Sequence, residues 1–187
     1  YILDLNNFNY DRKKSIITSS TASFLKDNLG NEFSVDEFIF KINEDLLKSK
    51  TLKYKDFENN KISLENAIIN FNDGSILGKD LEIDFYNSLS GTMKNEPRLK
   101  SRSVMISNQN TKLNKGVYTT CKKSGKCPVW QIQAEEILHD KESKRINYKN
   151  AWLKVFDKPI LYFPKFYHPD PTVKRQSGFL VPSFAES

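Results

Sequence analysis

Two histidines, two cysteines and a scatter of paired carboxylates are the residues of this chain that could do chemistry. His168-Pro169-Asp170 sets an imidazole two positions from a carboxylate, the types that an acid–base couple needs. Prolines on both sides of Asp170 stiffen the backbone, and a rigid, extended crossing is the better reading of that run. Asp36-Glu37 and Glu135-Glu136 are adjacent, so in a strand their side chains point to opposite faces and cannot cooperate on one bond. Solvated strand edges account for them. The chain has no Gly-x-Ser-x-Gly elbow, no glycine-rich phosphate cradle and no His-Glu-x-x-His. It reads as a non-enzyme, with no catalytic residue, no metal and no cofactor expected.

Cys121 and Cys127 flank Lys-Lys-Ser-Gly-Lys. A turn at Ser-Gly can bring the sulfurs together, and an oxidising compartment then permits a short-loop disulfide. Zinc, completed by His139 and His168, is a rival reading, although the spacing fits no common zinc pattern. A bystander pair of thiols is the third.

These residues must be positioned by strands. The chain has 187 residues, enough for one domain with a real core. Its net charge of +6, from 29 basic and 23 acidic residues, favours anionic partners without naming one. No apolar run approaches the ~18–20 residues of a membrane helix. The chain opens on Tyr1 with no basic and apolar leader, so any signal peptide is expected either to have been removed from the mature chain or to lie outside these residues, and the absence carries no weight.

Leu3, Leu5, Phe8 and Tyr10, then a charged turn at 11–14, then Ile16-Ile17 alternate as half-buried strands do. A related unit spans 38–47, with looser copies at 83–89 and 137–146, which points to stacked hairpins or a solenoid-like roll. Val35, Phe38, Ile39, Ile42 and Leu46 also fit a helix over 35–53, but the alternation Phe38, Phe40, Ile42 favours strands. Residues 27–31, 72–75 and 114–116 supply the Asn, Asp and Gly of tight hairpin turns. Leu81 to Phe85 is the clearest strand, and 95–114 holds one strand between loops. Thirteen Phe, eight Tyr and two Trp load one face of these strands, either as a closed sandwich core or as an open apolar slot.

Near the C-terminus, 151–156 and 160–163 read as two strands joined by a tight turn at Asp157-Lys158-Pro159. Pro164, Pro169, Pro171 and Pro182 then follow too closely for a helix or a long central strand. Several runs here carry a resemblance: Gly116-Val117-Tyr118-Thr119-Thr120-Cys121, Trp130-Gln131-Ile132, Tyr162-Phe163-Pro164, 168–175 and Ser177-Gly178-Phe179-Leu180. Together they resemble the LPS-assembly (OstA or LptD) family of the bacterial outer membrane, where its periplasmic domain passes into its barrel.

That resemblance implies an all-β jellyroll, open along one side, over residues 1–165, then a proline-rich link and the start of the first barrel strand over 166–187. It implies lipopolysaccharide as cargo and a place on the periplasmic side of the outer membrane. The slot residues it suggests are Phe38, Phe40, Ile42, Ile69, Phe71, Leu81, Ile83, Phe85, Ile132, Leu153 and Val155, with Lys174 and Arg175 at the headgroup phosphates. Their inward parity is an expectation that a one-residue slip would invert. The implied partners are a periplasmic bridge protein, adding its strand at the edge formed by residues 1–10, and an outer-membrane lipoprotein plug in the barrel. Cys121 matches a family cysteine that bonds the barrel, and Pro182 would weaken a gate strand. A soluble shuttle of the same fold is the alternative. A basic β-fold binding polysaccharide or nucleic acid is the reading from another class, whereas the jellyroll reading has no nucleic-acid partner.

Overall fold

The computed structural model describes residues 2–4, 7–26, 32–55, 59–86, 97–121, 129–170 and 173. Among these residues, thirteen strands form one antiparallel sheet. They are β1 (Ile2–Asp4), β2 (Phe8–Asp11), β3 (Ile16–Ser19), β4 (Ser23–Lys26), β5 (Glu32–Lys41), β6 (Leu46–Lys55) and β7 (Lys61–Asn70), followed by β8 (Ser75–Asp84), β9 (Arg98–Ile106), β10 (Asn110–Thr119), β11 (Trp130–Asp140), β12 (Arg145–Val155) and β13 (Lys158–Pro169). From β5 onward each strand pairs with its neighbours in sequence, so the expectation of an all-β, jellyroll-like stack of hairpins holds. The segment 35–53 is two strands, with only a 3-10 turn at Ile42–Glu44 between them.

The sheet is creased. Glu37, Asn66, Asp80, Lys115 and Asn150 have positive φ in mid-strand, and the ladders skip a residue pair beside each of them. Asp36 pairs with Thr51 and Phe38 with Ser49, which leaves Glu37 and Lys50 outside the ladder. Asn114 pairs with Glu136 and Gly116 with Ala134, which sets Lys115 and Glu135 aside in the same way. A left-handed residue bends its strand and turns the next side chain over. The buried positions of β7 are accordingly Ile62 and Leu64, then Ala67 and Ile69, with exposed Glu65 and Asn66 between them. β9 repeats this with Leu99 and Ser101, then Val104 and Ile106. The left-handed conformation costs about 1–2 kcal/mol at a non-glycine residue, and burying the inner faces of both arms in one shared cluster offsets it.

Side chains three positions apart straddle the crease and converge on one volume, so a small residue faces a large one. The inward positions on either side of the crease pair a small residue with a large one in the sequence, Ser49 with Leu52, Ala67 with Leu64, Ser101 with Val104 and Ala151 with Tyr148, and the bare Gly78 lies against the Leu64 side chain of the neighbouring strand, 3.2 Å from where its Cβ would stand. Outside the crease Lys50 Nζ donates to Glu37 Oε1 at 2.6 Å, and Asn150 Nδ2 to Glu135 Oε2 at 2.6 Å. The N-terminal strands are broken at the same line. β4 pairs with residues 32–35 of β5 and β3 with residues 38–41, while β1 and β2 extend these two halves.

One expectation is corrected at the C-terminus. The strand that begins after Asp157 does not stop at Phe163; it runs through Pro164 to Pro169. Among the described strands β13 pairs with β12 alone, and an edge strand needs N–H donors on one side only, so its prolines are tolerated.

Candidate functional site: the apolar interior of the creased sheet

The inner faces of the two arms hold the large apolar side chains. Of the expected slot residues, Phe38, Ile69, Leu81, Ile83, Phe85 and Ile132 are buried, and Phe40, Phe71, Leu153 and Val155 pack, half-buried, against them. Ile42 is the exception. It lies in the 3-10 turn at the end of β5, 37% exposed, because the strand has ended before its parity applies. The expectation missed the inner residues on the far side of each crease, such as Phe33, Leu47, Ile62, Ile76, Leu99 and Ile146. A repeated pattern could have found them: apolar, any, small or apolar, two polar, then small or apolar, any, apolar. Phe-Ser-Val-Asp-Glu-Phe-Ile-Phe at 33–40 and Ile-Ser-Leu-Glu-Asn-Ala-Ile-Ile at 62–69 both carry it.

The arms meet at one end of the sheet. The Tyr118 and His168 rings are 4.7 Å apart, and Phe85 meets His139 edge to face at 6.0 Å. Around them lies a buried polar knot. His168 donates from Nδ1 to the Pro169 carbonyl at 2.6 Å and accepts the Tyr148 hydroxyl at Nε2, 2.7 Å away. That pairing requires a neutral imidazole, and burial pushes its pKa below the ordinary value. Burial likewise pushes the Tyr118 and Tyr148 phenols up. His139 Nε2 bonds the Asp170 carboxylate, and both residues are buried. His168 and Asp170 therefore bind different partners across the interior and tie down the end of β13. Both histidines are engaged in these bonds.

Phe33 stacks on Tyr54 at 4.7 Å beside a groove of about 350 Å³, floored also by Phe24 and Ile62 and rimmed by Lys53, Lys55 and Lys61 with Glu32, Glu82 and Asp84. Cys121 carries a free thiol, with its Sγ 3.6 Å from the Trp130 carbonyl. Cys127, Pro171, Lys174, Arg175 and Pro182 lie outside the described residues. Among the described residues no group of His, Cys, Asp and Glu is placed to hold a metal ion, and no helix is long and apolar enough to cross a membrane.

The fold and the site define a jellyroll-like β-protein whose distinguishing feature is its apolar interior. Three relatives make this more specific, and each is an LPS-assembly protein LptD. That of Idiomarina loihiensis is 33% identical over 131 residues, 64% of this chain and 16% of the relative. That of Xanthomonas euvesicatoria pv. vesicatoria is 37% identical over 87 residues, 46% of this chain and 10% of the relative. That of Pseudoalteromonas translucida is 41% identical over 70 residues, 37% of this chain and 9% of the relative. No protein-family model matches the chain. The resemblance to the LPS-assembly family drawn from the sequence is borne out, and the matched segment is 9–16% of the length of these relatives.

Proposed function

We propose that this chain is the periplasmic jellyroll of a lipopolysaccharide-assembly protein, which accepts lipopolysaccharide from a periplasmic bridge protein and passes it towards a barrel in the outer membrane. The observation that carries this reading is the match to LPS-assembly proteins. The apolar interior supports it, since an acyl chain gains about 0.8 kcal/mol for each CH₂ it buries. That interior is filled by its own side chains, so cargo enters by parting the two arms about the crease. No step breaks a bond, and the protein is a carrier.

In this reading the bridge protein adds its strand at the N-terminal edge, where β1 and β2 each pair on one side only among the described strands. A lipoprotein plug fills the barrel, Lys174 and Arg175 meet the phosphorylated headgroup as it leaves, and Cys121 is available to a disulfide with the barrel. Photocrosslinkers at Phe40, Phe85 and Leu153 in living cells test the proposal. Adducts to lipopolysaccharide from these positions support it; none from any of the three, in a protein that is folded and exported, removes it.

A further inference from the structure

Among the described strands the creased sheet ends in two edges of different chemistry. Such an edge offers backbone N–H and C=O groups to any strand that approaches. At the N-terminal side, Ile2–Asp4 and Phe8–Asp11 contain no proline. At the other side, β13 carries Pro159, Pro164 and Pro169, near its start, at the crease and at its end. Proline has no N–H, and a proline in a strand that keeps its ladder to β12 turns its nitrogen towards the free side. The uninterrupted runs between the prolines are 160–163 and 165–168. Only alternate residues of each point a donor outward, so the prolines break the row of donors along this edge, whereas the row along β1 and β2 has no such gap.

The same strand is strongly apolar on its surface. Ile160 is 62% exposed, Leu161 48% and Tyr162 43%. A long apolar strand at a sheet edge invites pairing with further chains unless something interrupts it.

We propose that β13 is a sealed edge and that, among the described strands, only the edge made by β1 and β2 accepts a strand, so that a second copy of this chain cannot add head to tail. This holds whether or not the interior carries lipid, because it concerns backbone donors alone. The test compares the wild-type chain with P159T/P164T/P169T by sedimentation velocity over a range of concentrations, with circular dichroism to establish that the variant is folded. The wild type stays monomeric, whereas the folded variant assembles reversibly and grows with concentration. Adding Phe8→Pro, which removes a donor from the opposite edge, returns the variant to monomer. A folded triple variant that remains monomeric overturns the proposal. So does a wild type that already assembles, or an assembly that persists with Phe8→Pro.

Discussion

Gly116 of β10 lies hard against the Ile137 side chain of β11: a Cβ placed on Gly116 would stand 3.0 Å from Ile137 Cγ1 and closer still to Cδ1. The two residues come from opposite sides of the crease on adjacent strands, so their contact measures how sharply the sheet is bent there. Gly116→Val is expected to lower stability by about 1–3 kcal/mol through overpacking. Ile137→Ala, costly alone, should recover part of that loss in the double variant. Urea midpoints of the four proteins check this, and strictly additive losses would remove the contact from the account.

Serines satisfy the backbone that the crease frees. The Ser101 hydroxyl reaches the Ser103 carbonyl at 2.7 Å and the Asn114 carbonyl at 2.8 Å, and the Ser49 hydroxyl reaches the Thr51 and Asp36 carbonyls at 2.5 and 2.9 Å. Both serines are buried. Ser49→Ala and Ser101→Ala should each cost about 1–3 kcal/mol, the penalty of stranding a buried polar group. Ser34→Ala, on the outer face of the same arm as Val35 and Leu52, should stay within about 0.5 kcal/mol. Equal effects at all three positions would mean that the crease does not need these bonds.

The sequence shows the strands because alternation such as Leu81-Glu82-Ile83-Asp84-Phe85 has only one structural outcome. A single parity per strand picks out buried residues on one side of each crease, at Phe38, Ile69 and Leu81, and says nothing of the equally buried Phe33, Ile62 or Ile76 on the other. The obstacle is physical. A residue with positive φ is normally sought at Gly or Asn, but here Glu37, Asp80 and Lys115 also adopt it. The Asp36-Glu37 and Glu135-Glu136 pairs are solvated, as expected, with Glu37 and Glu135 exposed and Asp36 and Glu136 half-buried, but they lie in mid-strand at the bend. Pro164 misleads in the same way, since it marks the crease in β13 rather than the end of the strand.

Asp170 follows β13 directly, and its carboxylate meets His139 inside the roll, with side-chain exposures of 5% and 10%. Its backbone N–H also donates to the Lys144 carbonyl at 3.0 Å, so the end of the sheet is held by both main chain and side chain. Asp170→Ala leaves His139 buried without its partner and should cost about 1–3 kcal/mol. Asp170→Asn keeps a hydrogen-bonding group of the same shape and should cost less. Guanidinium unfolding of both variants checks the order, which an equal loss would contradict.

His168 makes stability depend on pH, with a sign fixed by its environment. Burial, the largest influence, lowers its pKa, and the nearby charge of His139 lowers it further, while its bond to the Pro169 carbonyl and the charge of Asp170 work in the opposite direction. Because the folded value lies below the unfolded one, the unfolded chain takes up the proton first as pH falls. The contribution of His168 is therefore complete above its ordinary value of about 6.5 and declines as pH drops from there towards the lowered value. Stability measured at about pH 7.5 and again at about 5.5 should fall, and His168→Gln should show a shallower fall. Identical slopes would assign the pH dependence to other groups.

The reversal of parity gives the carrier proposal its sharpest test, because it requires a pattern that a flat sheet cannot produce. In β6 the inward residues are Leu47 and Ser49 before the crease and Leu52 and Tyr54 after it, so the odd positions face inward first and the even positions next. Photocrosslinkers at 47 and 54 should therefore yield lipopolysaccharide adducts, whereas those at Lys48 and Lys53, both exposed, should not. A flat strand of period 2 would put 47 and 53 on one face and 48 and 54 on the other. Adducts in that second pattern would mean that cargo sees an unbent strand and that the arms do not part about the crease. Adducts at 47 and 54 together, with none at the two lysines, arise only if lipid reaches the inner faces of both arms.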